Sequence, residues 1–146
     1  MLTDARRKVV DEAYTALRRS QSAHYLAAGE EFTRQRLADL FGLVVTGVRD
    51  RELTHVVEYA EGLARERFEA GFDFVEVQTA FNALEEAMWR RLLTSHLTGD
   101  LVDALAALST VLGAGKDALA RTYVSLATRR HVPSLDLTAL FRGASA

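Results

Sequence analysis

Apolar residues recur along this chain at helical spacing almost from end to end. Val9, Val10, Ala13 and Leu17 form a stripe that predicts a first helix from about Asp4 to Arg19, with Thr3 as its N-cap. Leu37, Leu40, Phe41, Val44, Val45 and Val48 alternate by three and one, the pattern of one face of a second helix from Glu30 to Val48. Glu30 and Glu31 stand at its start, where the helix dipole favours negative charge. Leu53, Val56, Val57, Ala60, Leu63, Ala64 and Phe68 predict a third helix from Arg51 to Ala70, opened by Asp50 and closed by Gly71 in a left-handed conformation. Asp73 caps a fourth helix, with Glu76 three residues on to reach back to the cap, and the pattern continues to about Leu93. Thr98-Gly99-Asp100 breaks the chain, and Asp100 caps a fifth helix running to about Arg130 on Leu101, Leu105, Leu108, Leu112, Leu119 and Leu126. The segment Gln21–Gly29 reads either as a loop or as a short helical turn. The prediction is an all-α, single-domain bundle of about five helices over residues 1–130, without β-sheet.

The fourth helix carries apolar residues nearly all the way round, which places it at the centre of a bundle or at an interface. At 100° per residue, Phe74, Val77, Phe81, Leu84 and Met88 share one face, and Ala80, Ala83 and Ala87 form a small-residue face. Gln78, Asn82, Glu85 and Trp89 form a third stripe. If Glu85 is buried it needs a partner, and Arg67 or Arg121 is the expected one, because an unpaired buried carboxylate costs several kcal/mol. The bland reading of this helix is a packed core. The sharper one makes its third stripe a wall of an interface or of a ligand cavity that also takes in Tyr123 and the His24-Tyr25 pair.

Gly113 and Gly115 interrupt the fifth helix, yet Lys116 and Asp117 resume its pattern at once. They mark either a kink or, as the resumed pattern favours, a place where another backbone approaches closely. Beyond residue 130 the tail His131–Ala146 carries Leu135, Leu137, Leu140 and Phe141, too apolar for a free linker, so it is expected to dock on the bundle or on a partner.

Composition and charge narrow the chemistry. The chain has no cysteine, which excludes disulfides, thiolate metal sites and cysteine nucleophiles. Net charge is −2, and arginine pairs such as Arg18-Arg19 and Arg90-Arg91 interleave with acids, so no nucleic-acid footprint stands out. Neither a signal-peptide core nor a membrane-length apolar run is present, and the expected location is the cytoplasm. Glu52-Leu53-Thr54-His55 has the Glu-x-x-His spacing of a di-metal bundle, but none of His24, His96 and His131 supplies the second motif. Haem ligation by His24, His55 or His96 has only the presence of histidine to support it. Gly113-Ala114-Gly115-Lys116 lacks the upstream glycine and the following Ser or Thr of a phosphate loop. No cofactor and no metal is predicted, and no nucleophile, base and oxyanion site assemble, so the chain is read as non-enzymatic.

From Arg65 to Leu92 the sequence resembles the helical N-terminal domain of RsbRD-type proteins. The features that carry the resemblance are Arg67, Gly71 two residues before the next helix, Val77, Ala80, Phe81, Leu84 and Trp89, together with Glu31–Leu40 and the final helix around Leu112–Ala127. It spans roughly residues 5–130. These proteins are co-antagonists of the RsbT kinase in the bacterial general stress system. The resemblance implies an all-helical sensory or scaffolding domain, often dimeric and globin-like without haem. No STAS or other output domain follows in this sequence, so the expectation is a stand-alone relative or an excised domain, and none of the family's phosphorylated threonines can be carried over. The leading reading is a non-catalytic regulatory module acting through homodimerisation and a protein partner. The alternative is a small-molecule-binding protein with a cavity near the Gln78-Asn82-Glu85-Trp89 face.

Overall fold

The computed structural model describes residues 2–94, 101–128 and 141. Six helices follow one another: α1 (Leu2–Arg19), α2 (Ala23–Ala28), α3 (Glu30–Asp50), α4 (Thr54–Glu69), α5 (Phe74–Thr94) and α6 (Leu101–Thr128), and the described residues contain no strand. The ambiguous segment after α1 supplies the sixth helix. It is the short α2, entered through Gln21, which has a left-handed φ of 57°.

Two of the expected helix starts move, for local reasons. Helix α1 begins at Leu2, so Thr3 lies inside its first turn and is not a cap. Asp50 is the last residue of α3 instead of the cap of α4. Arg51 takes the left-handed conformation at φ 54°, and the Glu52 amide reaches back to the Gly47 carbonyl at 3.1 Å. That closes α3 in the manner of a Schellman turn, with an arginine where glycine is usual. The Glu52 carboxylate then accepts the Thr54 amide at 2.7 Å and caps α4. At the other end of α4, Gly71 has φ 86° and the Phe72 amide bonds the Arg67 carbonyl at 2.9 Å, the same device with its usual residue.

Helix α6 packs most extensively on α4, and α1 on α5, while α5 also packs on α6. The three faces of α5 separate as their residue types demand. Val77, Phe81, Leu84 and Met88 are buried on the large side, and Ala80, Ala83 and Ala87 are buried on the small side. Ala83 and Ala87 border α1 beside Thr15 and Ala16, where small residues let the two helices come close. Val111, Leu112, Ala118 and Leu119 of α6 complete one continuous core.

Of the two glycines in α6, only Gly115 marks a close approach. A methyl there would stand 3.1 Å from the Phe81 ring and 3.3 Å from Val56. Gly113 has open space where its side chain would be, which corrects the expectation that the pair acts together. A second close approach is at Gly47 in α3, where a methyl would meet the Glu52 carbonyl at 2.9 Å and Val111 at 3.1 Å. Of the tail residues, Leu135, Leu137 and Leu140 lie outside the described residues, as does Asp100. Phe141 is buried, with the Arg51 guanidinium 5.8 Å from its ring centre.

Candidate functional site

The third face of α5 stays partly open to solvent and does not converge with Tyr123, His24 and Tyr25. Asn82 is exposed, and Gln78 and Trp89 are half-buried. Glu85 meets Lys116 of α6 at 2.6 Å, not an arginine, and both side chains keep about a quarter of their surface in solvent. Arg121 is taken by Asp117 within its own helix, and Arg67 pairs with Glu66. The cavity expected beside this stripe also fails to draw in the rest of its candidate wall. Tyr123, His24 and Tyr25 gather elsewhere, around Phe72.

Phe72 follows the αL glycine and is driven into the bundle. His24 and Tyr25 of α2 contact its ring at centroid distances of 5.0 and 4.8 Å. Tyr123 of α6 donates its hydroxyl to the Phe72 carbonyl at 3.0 Å and packs its ring against Phe68 and Phe74. Glu76 fastens α2 to this corner. Its carboxylate accepts the Asp73 amide at 3.1 Å, the reach-back read from the sequence, and also the His24 amide at 2.9 Å and the His24 ring nitrogen Nδ1. Burial alone would raise the Glu76 pKa, but those hydrogen bonds outweigh it and hold the carboxyl below its usual value.

Beneath that corner lies Arg67, which the sequence marks only as a possible partner of Glu85 and as part of the family resemblance. Arg67 is 1% exposed, and its guanidinium is ringed by Phe32, Phe72 and Tyr25 at 4.7, 5.1 and 5.8 Å. Cation–π contact of this kind is worth about 2 kcal/mol or more where water is excluded. One nitrogen, Nη1, bonds the mostly exposed Glu66 carboxylate at 2.8 Å. Arg36 of α3 lies against the other partner of this stack, 5.2 Å from the same Phe32 ring, and is held by Asp39 at 3.5 Å. Four buried polar atoms among the described residues have no partner in the chain: Arg36 Nε, Tyr59 Oη, Arg67 Nε and Arg67 Nη2. All four can donate, and the Tyr59 hydroxyl can also accept. Arg36 and Tyr59, though not Arg67, line a small cavity of about 20 Å³ together with Tyr25, Thr33, Ala80, Phe81 and four leucines.

The signal for this cluster was in the α4 pattern. Val56, Ala60, Leu63 and Ala64 define the buried stripe, and Tyr59 and Arg67 stand on or beside it at helical spacing where an apolar residue is the rule. An arginine on the core face is a more informative exception than the polar stripe of α5.

Burial pushes the Tyr59 and Tyr123 phenols up to about 12, and raises Tyr25 despite an opposing hydrogen bond and charge from Arg67. A phenol whose folded pKa is raised adds stability that is complete below its unfolded value of 10.0 and is lost as pH climbs toward about 12. Phenolate absorbance of the native protein should therefore show Tyr59 and Tyr123 titrating near 12, and unfolding should become easier as pH rises above about 10. Ordinary titration near 10 by both residues would contradict their burial.

The Glu-x-x-His pair does no joint work. Glu52 caps α4 and His55 is exposed. No group of three or more His, Asp or Glu is placed to hold a metal ion among the described residues. No described helix is long and apolar enough to cross a membrane.

The described residues form an all-α bundle with buried polar side chains between α3 and α4. Residues 3–140 match the family described as the RsbT co-antagonist protein rsbRD N-terminal domain, and the chain belongs to that family. Comparison with curated proteins and comparison with solved structures each return no match.

Proposed function

We propose that this chain is a non-catalytic regulatory module of bacterial stress signalling, acting in the cytoplasm as a homodimer that engages a protein partner, with residues 131–146 as a docked tail. The observation that carries the reading is membership, over nearly the whole chain, of a family described by its action on a signalling protein. The surface supports contact with other chains. Val75, Leu93 and Val102 are large apolar side chains with 66%, 58% and 77% of their surface in solvent. The burial of Phe141 supports docking of the tail on this bundle.

Light scattering coupled to size-exclusion chromatography at micromolar concentration is expected to show twice the mass of the 16.1 kDa chain. A single-chain mass would remove dimerisation. A purified RsbT-type kinase is expected to be retained by the immobilised protein, and no retention at tens of micromolar would remove that partner.

A further inference from the structure

We propose that the outward face of α6 is where two copies of this chain pair, their α6 helices running antiparallel across a two-fold axis at Gly113. This rests on the homodimer reading above and names its interface.

The face is open. Val102, Ala106, Ser109, Gly113, Asp117, Ala120 and Val124 lie within about 40° of one line along α6, at 100° per residue. None of them is buried, because α3, α4 and α5 pack on the other sides of the helix. Val102 and Val124 keep 77% and 48% of their surface in solvent. The composition is not that of a wet surface. Asp117 is the one charged residue of the seven, and Arg121 of the same helix holds it at 2.9 Å. Outward positions of α1 and α4 carry Arg7, Glu12, Glu58 and Arg65 instead.

The order of residues selects the occupant. Read away from Gly113, the steps are four, three and four residues in both directions. The residues met also match: Ser109 and Asp117, then Ala106 and Ala120, then Val102 and Val124. A two-fold interface sets residue i of one copy against residue j of the other, and j against i. An antiparallel pair crossing at Gly113 therefore places valine on valine at both ends and alanine on alanine inside them. It also places the Ser109 hydroxyl, a donor, on the Asp117 carboxylate of the other copy. A helix from a different protein imposes no such symmetry. Steps of three and four keep a seam turned toward a second helix crossed at about 20°. At that angle the contact runs from Val102 to Val124, about 33 Å.

Gly113 fits the axis for a reason the single chain does not supply. A methyl there would meet no atom of the described residues within 4 Å, and glycine weakens a helix interior. At a crossing point the two backbones are nearest, and a missing side chain lets the axes approach to the short end of the usual range of about 8–10 Å. On the α5 edge of the face, Glu85 and Lys116 are already paired at 2.6 Å, so pairing of the copies strands neither charge.

The test uses the full chain, which has no cysteine of its own. Gly113→Cys is expected to link into covalent dimers under mild oxidation, since a residue on the axis brings its own copy within the Cα separation of about 4.4–6.8 Å that a disulfide needs. Ser109→Cys and Asp117→Cys each stand about 12 Å from their own copies, so each is expected to stay unlinked alone and to link to the other when mixed. Sedimentation equilibrium is expected to show Gly113→Arg raising the dimer Kd by about 100-fold and Val124→Lys by about 10-fold, with the helix content of the chain unchanged. If Gly113→Arg does not fold, Val124→Lys and the cysteine links decide the matter. A wild type that stays single-chain at every concentration removes dimerisation and this face with it. A dimeric wild type whose Kd is unmoved by Gly113→Arg and Val124→Lys, or that links through Ser109→Cys alone and not through Gly113→Cys, keeps the dimer and overturns the face.

Discussion

Phe81→Ala should lower the unfolding free energy by about 3–5 kcal/mol, the range for removing a buried aromatic from a packed core. Phe81 is 1% exposed and its ring occupies the place beside Gly115 that a side chain would otherwise take. A second substitution reads that relation directly. In the wild-type background, Gly115→Ala drives a methyl to 3.1 Å from the Phe81 ring and 3.3 Å from Val56. Overpacking of that kind costs about 1–3 kcal/mol, against a gain of about 1 kcal/mol from replacing glycine inside a helix. With Phe81 truncated, the tighter contact is gone and the helix gain prevails, so Gly115→Ala should become neutral or stabilising. Denaturant unfolding of the four proteins should give a coupling of about 1–2 kcal/mol. Strictly additive values would mean that something other than the Phe81 ring keeps residue 115 small.

Glu76→Ala should cost about 2–3 kcal/mol, because one carboxylate serves three donors on two segments. Asp73 loses its cap, and α2 loses both of its ties through His24. The effect carries a pH signature. The Glu76 carboxyl is held below its usual value in the folded chain, so its contribution is complete above the ordinary carboxylate range and is lost as pH falls through the folded value. Glu76→Gln keeps an acceptor but not the charge, so it should be less stable than wild type at neutral pH and should converge with it in acid. A gap that persists unchanged into acid would show that the charge of Glu76 contributes nothing.

Helix existence could be read from the sequence because burial enforces a period, and the stripes of α1, α3 and α4 became the buried faces except at Phe68, which is exposed, and at Val45, Val48 and Val57, which are half-buried. Position at the ends was harder to read where an unusual residue does the turning. Arg51 adopts a left-handed conformation that glycine would have announced, so Asp50 looked like a cap and is instead the end of α3. Gly47 was silent for a related reason. Its meaning lies in what faces it, Val111, sixty-odd residues away in the chain. The candidate residues divide because the polar stripe of α5 is only partly buried, whereas Tyr123, His24 and Tyr25 gather around Phe72. Arg67 was visible as a charged residue on an apolar stripe, but only tertiary packing brings Phe32, Phe72 and Tyr25 around it. The Glu85 partner was assigned to the wrong cation for the same reason, since Lys116 reaches it from α6.

Val111 and Gly115 are one helical turn apart on α6, and they interlock with their neighbours in opposite senses. At Val111, α6 is the key and α3 the notch, its isopropyl group filling the place of the missing side chain at Gly47. At Gly115, α6 is the notch, and Phe81 of α5 and Val56 of α4 are the keys. An axial slip of one turn, about 5.4 Å, would withdraw Val111 from the Gly47 notch and bring Val111 or Leu119 against Phe81 and Val56. Helix α6 is thus bolted along its own axis to three other helices. A displacement of α6 along its own axis therefore has to carry α3, α4 and α5 with it.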